Sequence, residues 1–263
     1  MDTEEFLSQF DGLILNPETR KIYGKQEFFN VGYWDSETQN QEESCFNLME
    51  KLLEFIPEKT GNILDVGSGL GATTNYLLKY YSPADVVGIN ISPKQLERSF
   101  VNAPDCKFIC MDAVQMDFQD DCFDNIICVE AAFYFNTREK FIQEAWRVLK
   151  PGGYLILSDI ICEKTEYFGG FYRAENTVKD IEAYKNIYQK TGFDRVELVE
   201  ATEECWLRHF RHLKTWMEEE FQAGEVEEKI YQANVDAIDN LLGTSAITYV
   251  LVSAKKPVNQ VQS

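Results

Sequence analysis

The run Ile63-Leu64-Asp65-Val66-Gly67-Ser68-Gly69-Leu70-Gly71-Ala72 is where residue types and spacing speak most directly to chemistry. Glycines at the end of an apolar run let the backbone turn sharply and approach a ligand that any Cβ would displace. A helix opening just after them offers unpaired N–H groups to that ligand. Taken alone, Gly67-x-Gly69-x-x-Ala72 also satisfies a dinucleotide fingerprint, so the loop leaves a nicotinamide cofactor and an oxidoreductase open. Asp65, two residues before the first glycine, sits where such a fingerprint keeps the strand apolar. There it could accept from an ammonium or structure the loop. Asp112 follows a second apolar run and is placed to receive an exocyclic amine of a purine.

Groups able to move a proton are few. Asp159 ends an apolar run and reads as an orienting group or base, or else as a loop cap. Tyr134 reads as a proton relay, or more simply as packing. The two histidines, His209 and His212, share one helix face. No third ligand is identifiable and Arg208 and Arg211 flank them, so no metal is expected. His209 is a candidate base reaching in from a cap, with a surface helix histidine as the bland alternative.

Elements that position these residues follow from periodicity. Residues 1–40 read as a short helical or irregular lead-in that could act as a lid. Apolar positions at helical spacing run from Glu42 to Phe55 and stop at Pro57. Strands are predicted at 62–66, 86–89, 107–111, 125–129, 154–157, 195–199 and 246–254. Helical segments lie between them, one opening at Ser92-Pro93 with proline at the first helical position. Strands separated by helices imply crossovers, hence an α/β, mostly parallel, doubly wound seven-stranded sheet. Helices near 203–220 and 226–242 form a cap, expected over an acceptor site. The division is therefore a lead-in (1–40), a cofactor-binding core (41–160), the rest of the sheet with its cap at about 203–243 (161–256), and a loose tail (257–263).

The chain of 263 residues has room for one large domain with a cap. Forty-four acidic against 25 basic side chains give a net charge of −19, which repels phosphate backbones and anionic membranes and argues against nucleic-acid or membrane partners. No apolar stretch approaches the roughly 20 residues of a membrane span, and Met1-Asp2-Thr3-Glu4-Glu5 is acidic where a signal peptide is basic. Seven cysteines form no CxxC pair, and several sit in apolar runs as reduced thiols would, so the expected compartment is the cytoplasm. The acidic runs near 217–228 read as a solvated helix face. Aromatic residues gather at 28–34, 133–135, 167–172 and 206–216, segments expected to cover the carboxyl ends of the strands, which suits a hydrophobic or aromatic small molecule. The sequence assigns no oligomeric state.

With these pieces in order, the chain resembles the class I S-adenosylmethionine-dependent methyltransferases, whose sheet is Rossmann-like. The matching pieces are ILDVGSGLG at 63–71, VVGINISPKQLERS at 86–99, CMDA at 110–113 and FIQEAWRVLKPGGYLILSD at 141–159. They span roughly residues 45–160, with weaker likeness at 191–193 and in the last strand. FNVGYW at 29–34 and EAAFYF at 130–135 carry a narrower resemblance to small-molecule enzymes of natural-product and lipid metabolism, such as sugar O-methyltransferases of the demethylrebeccamycin type and tocopherol methyltransferases. The resemblance implies methyl transfer from S-adenosylmethionine to a small acceptor, at oxygen ahead of nitrogen or carbon. It places Asp65, Gly67, Gly69 and Glu130 at the methionine end of the cofactor, Asp112 and Ala113 at the adenine, and Asn90, Ile91 and Gln95 at the ribose. Tyr33 and Trp34 would fold over the cofactor. Two departures stand out: Asn90 replaces the usual acid after the second strand, and Phe133-Tyr134-Phe135 lacks the histidine many relatives carry there. Asp159 matches an acid–base residue of the sugar-modifying relatives. The missing histidine also leaves open a cofactor-binding protein without catalysis.

Overall fold

The computed structural model describes residues 3–165 and 171–258. Seven strands form one sheet: β1 (Ile63–Val66), β2 (Val86–Asn90), β3 (Lys107–Cys110), β4 (Phe123–Val129), β5 (Leu149–Cys162), β6 (Arg195–Glu200) and β7 (Ile247–Lys255). Their order is β3-β2-β1-β4-β5-β7-β6, with β1 to β5 paired in parallel and β7 antiparallel between β5 and β6. The expected α/β, largely parallel architecture is therefore present. From β1 the chain winds outward through β2 to β3, then returns to place β4 on the other side of β1. That reversal opens a crevice at the carboxyl ends of β1 and β4, where sheets of this kind bind ligands.

Period-two alternation sends successive strand residues to opposite faces. On β4, Ile127 joins one core while Ile126 and Cys128 join the other; on β5, Ile156 opposes Leu155 and Leu157. The first face is covered by α3 (Gln41–Leu53), α4 (Ala72–Leu77) and α5 (Pro93–Asn102), the second by α6 (Arg138–Val148) and α7 (Ile181–Thr191). Leu48, Leu52, Phe141 and Ile142 are fully buried there. Each such side chain is worth about 1.5–3 kcal/mol of burial. The helices begin as their caps dictate: Asn40, Ser92, Thr137 and Asp180 each accept a first-turn N–H through the side chain.

Three elements differ from the sequence expectation. The lead-in holds a full helix, α1 (Thr3–Ile14), and a short α2 (Pro17–Arg20). Glu4 and Glu5 sit in α1's first turn, where they favour the helix dipole. β5 extends five residues past each end of the predicted 154–157, because β7 pairs with it continuously from Tyr154↔Lys255 to Cys162↔Ile247 and the parallel partner β4 with its earlier part. The helix near 203 begins as a π-helical turn, Thr202–Leu207, before α8 (Arg208–Gln222) and α9 (Glu228–Gly243). No helix among the described residues is long and apolar enough to cross a membrane. Tyr167 and Phe168 of the aromatic loop and the last five residues of the tail lie outside the described residues.

Candidate active site

A cavity of about 1150 Å³, its solvent-open part included, lies at the carboxyl ends of β1, β2 and β4. One wall is the glycine loop. Gly67, Gly69 and Gly71 take φ of +74°, +55° and +84°, a region costly for other residues. A Cβ on Gly67 would sit 2.5 Å from the Ala131 methyl, so the β1 and β4 loops close against each other there. The Gly67 and Ser68 N–H groups both donate to the Ile89 carbonyl, at 2.9 and 3.0 Å, which ties the loop to β2. Ser68 also lines the cavity, and its buried hydroxyl has no hydrogen-bond partner among the described residues.

The β2 end supplies amides in place of a carboxylate. Asn90 Nδ2 donates to Gln95 Oε1 at 2.9 Å, and Asn90 Oδ1 accepts the Ser92 N–H at 3.0 Å. Beyond β3, Asp112 is exposed at the cavity and accepts the Val114 N–H at 3.0 Å, with Met111 and Ala113 beside it. Glu27 closes this side, held by Arg98 at 2.6 and 2.9 Å, by Asn102 at 2.8 Å and by Arg20. Burial pulls the Glu27 carboxyl upward, but these partners outweigh it and hold the group below its ordinary range.

Glu130 follows β4 in a left-handed conformation, φ +48°. Its Oε1 accepts the Val31 N–H at 2.9 Å and the Tyr249 hydroxyl at 2.7 Å. Burial raises its carboxyl to about 7, despite the opposing effect of those two donors. Across from it stands an aromatic wall. Phe10 of α1 lies 5.0 Å from Tyr134 and 6.0 Å from Phe29, and Phe6 stacks on Phe10 at 5.4 Å. Arg173 lines the cavity as well, donating from Nε to the Tyr134 carbonyl at 2.9 Å.

Of the residues singled out in the sequence, Gly67, Gly69, Asn90, Ile91, Gln95, Asp112, Ala113, Glu130 and Tyr134 all line this cavity. Five do not. Asp65 is buried behind the loop, where its Oδ2 accepts the Thr74 hydroxyl at 2.6 Å and burial raises its carboxyl to about 7. Tyr33 and Trp34, expected to fold over a cofactor, point elsewhere: Lys51 Nζ lies 5.7 Å from the Tyr33 ring, and the Trp34 indole donates to the Val31 carbonyl and packs 4.5 Å from His212.

Asp159, expected to face the acceptor as a base, is sealed from solvent. Arg138 Nε lies 3.2 Å from its Oδ2, and the Tyr184 hydroxyl donates to the same oxygen at 2.5 Å. His209, expected to reach in from the cap, is buried with Nδ1 2.8 Å from Gln41 Oε1. Burial, with a lesser push from His212, lowers its imidazole to about 3, so it stays neutral. The cavity lining includes no residue of α8 or α9; the helix that supplies its apolar side is α1, through Phe6, Leu7, Phe10 and Ile14. That role escaped the sequence reading, although the i, i+4 and i+8 recurrence of Phe6, Phe10 and Ile14 marks a helix with one apolar face.

Comparisons with known proteins agree with this architecture. Residues 64–157 match a family model described as a methyltransferase domain. The erythromycin 3''-O-methyltransferase of Saccharopolyspora erythraea is 28 % identical over 88 % of this chain and 84 % of its own length. The methyltransferase GfsG of Streptomyces halstedii is 30 % identical over 66 % of this chain and 69 % of its own. In three dimensions the [4+2]-cyclase SpnF superposes with a TM-score of 0.75 at 20 % identity, over 95 % of this chain and 96 % of its own, a likeness of fold alone. Other structures of the same fold hold S-adenosylmethionine or S-adenosylhomocysteine. The residues here fit such a group: a glycine cradle that a Cβ would fill, an orphaned serine hydroxyl, and an acceptor carboxylate at Asp112 for an amine. The motifs along β1 to β5, the cavity they build and the likeness to GfsG converge: the chain belongs to the S-adenosylmethionine-dependent methyltransferases.

Proposed function

We propose that the methyl acceptor is a small, partly hydrophobic metabolite and that the methyl group goes to one of its hydroxyl oxygens. The observation carrying this reading is the placement of the Phe6–Phe10–Phe29–Tyr134 wall in the same cavity as Glu130. Such a wall takes up an apolar body, and a carboxylate beside it takes a hydroxyl proton. The erythromycin and 27-O-demethylrifamycin enzymes, both named for oxygen methylation, support the same choice.

When bound, S-adenosylmethionine supplies the activated methyl, and the protein aligns, shields and deprotonates. Gly67, Gly69 and Ser68 hold the methionine end, Asn90 and Gln95 the ribose, and Asp112 with Ala113 the adenine. Alignment alone contributes several kcal/mol, about 7–11 at the extreme. The aromatic wall excludes water from the reacting centre. Glu130 is the base. Its side-chain hydrogen bonds among the described residues both fall on Oε1, so Oε2 is the oxygen left to take the proton. A carboxyl held near 7 is better matched to a hydroxyl proton at neutral pH than an ordinary glutamate. Tyr134 shapes the acceptor side beside it.

The test is to incubate the purified protein with S-[methyl-¹⁴C]adenosylmethionine and two matched panels, hydroxylated and amino-bearing apolar metabolites. Label transfer to the hydroxylated panel is expected. Transfer confined to the amino-bearing panel or to carbon would overturn the oxygen assignment, and labelling of a polar, non-aromatic hydroxylated control with none in either apolar panel would overturn the apolar one.

A further inference from the structure

Asn90 stands where an acid is usual, yet a carboxylate lies within reach of it, delivered from another element. Asp11, on α1, is 6 % exposed and directs Oδ1 at two donors on the β2 side. The Ser92 hydroxyl reaches it at 2.8 Å and Gln95 Nε2 at 2.7 Å, across 81 and 84 residues of sequence. Burying a carboxylate is costly unless donors compensate it, and here two do.

The consequence is a fixed polarity through three side chains. A carboxylate only accepts, so Gln95 must present its NH₂ to Asp11 and its oxygen to Asn90. Asn90 must then present its own NH₂ to Gln95, which leaves Asn90 Oδ1 on the Ser92 N–H. Asn90 is held in this sense by backbone groups as well, the Ser92 N–H at 3.0 Å and the Gly69 carbonyl at 3.3 Å, whereas the Gln95 NH₂ is tethered by Asp11, and without it Gln95 is held at its oxygen end alone. Asn90 and Gln95 line the cavity, and so do Phe10 and Ile14 on either side of Asp11 along α1.

We propose that Asp11 is the positioning residue for cofactor ribose recognition, contributed by α1 in place of an acid on β2. Seating α1 and tethering the ribose-facing Gln95 amide are then one event. The proposal rests on the reading of this cavity as the S-adenosylmethionine site.

Calorimetry with the full chain tests it, using S-adenosylhomocysteine and its 2′-deoxy analogue, with circular dichroism to verify folding. Asp11→Leu should weaken S-adenosylhomocysteine binding by about ten-fold or more. It should also shrink the wild-type preference for the ribose form over the deoxy form. Asp11→Asn, which keeps an oxygen acceptor, should lose much less. Gln95→Glu sets two carboxylates against each other and should weaken binding, and adding Asp11→Asn in that background should restore it, so the test survives if Asp11→Leu does not fold. Unchanged affinity in Asp11→Leu, a loss falling equally on both ligands, or no rescue in the double variant overturns the proposal. If the wild-type protein binds neither ligand, the cofactor reading of the cavity fails and this proposal fails with it.

Discussion

Arg138 and Asp159 face each other at 3.2 Å with neither side chain open to solvent, one from the start of α6 and the other from the middle of β5. Tyr172 and Tyr184 flank the guanidinium, their ring centroids 5.6 and 4.9 Å away. Burial pushes the Asp159 carboxyl up, while Arg138 and Tyr184 pull it back. A sealed carboxylate paired in this way holds the second face of the sheet together and cannot reach an acceptor. Asp159→Asn should therefore cost stability, about 3–5 kcal/mol, since it leaves Arg138 buried without its counter-charge. Urea unfolding measures the loss, and turnover per folded molecule should stay near wild type. A large fall in turnover with intact stability would return Asp159 to the chemistry.

Glu130→Gln separates proton removal from cofactor binding. Turnover should fall by about 10²–10⁴ with an aliphatic hydroxyl acceptor. Affinity for S-adenosylhomocysteine should change little. In the wild type, kcat/KM should rise with pH through the Glu130 value of about 7, because only the deprotonated carboxylate accepts a proton. The variant should lose that rise. Lost cofactor affinity with kcat preserved would instead make Glu130 a ligand of the methionine ammonium.

Asp65 gives a stability signature. Its folded value of about 7 lies above the ordinary 3.8, so between these pH values the folded chain holds a proton that the unfolded chain has released. The ionisation cost is absent below about pH 4 and is fully present above pH 7. Stability on this account falls as pH rises. Asp65→Asn keeps an acceptor for Thr74 and removes the ionisable group, so its melting temperature relative to wild type should improve between pH 5 and pH 8. A difference between the two proteins that does not vary with pH would show that Asp65 ionises normally.

His209 carries the opposite sign. Its folded value near 3 lies below the ordinary 6.5, so acidification below pH 6.5 protonates the unfolded chain first and lowers stability. His209→Gln should flatten that acid-side loss in thermal melts while leaving turnover unchanged between pH 6 and 8. A turnover profile that shifts with this substitution would restore the histidine to catalysis.

Phe10→Ala opens the aromatic wall. Binding of a neutral aromatic probe, N-phenyl-1-naphthylamine, should weaken by about ten-fold, from lost contact area and lost ring–ring contact with Tyr134. Fluorescence titration reads this directly. Equal affinity in the two proteins would mean that apolar ligands sit elsewhere.

The glycine loop, the alternation of strands and helices and the position of Asp112 are legible because each depends on a few neighbouring residues, whereas Asn90 and Gln95 are placed by the family resemblance and Gln95 is held by Asp11, 84 residues away. A strand that ends in glycines and is followed by a helix allows few shapes. Asp159 and His209 were not legible in the same way. What they touch is set by Arg138, 21 residues earlier, and by Gln41, 168 residues earlier. No local pattern distinguishes a carboxylate facing a cavity from one facing a buried guanidinium. The α1 helix shows the same limit: Phe6, Phe10 and Ile14 announce an apolar face but not what it covers.

The 2.5 Å separation between a notional Gly67 Cβ and the Ala131 methyl couples two positions 64 residues apart in the history of the chain. Room for a single methyl exists between the two loops, and Ala131 already occupies it. A lineage could enlarge residue 67 only after shrinking residue 131, and the left-handed backbone at 67 would resist even then. Drift at either site is conditional on the other. Glu130, next to Ala131 and tied to Val31 and Tyr249, inherits that constraint without touching Gly67's missing side chain itself.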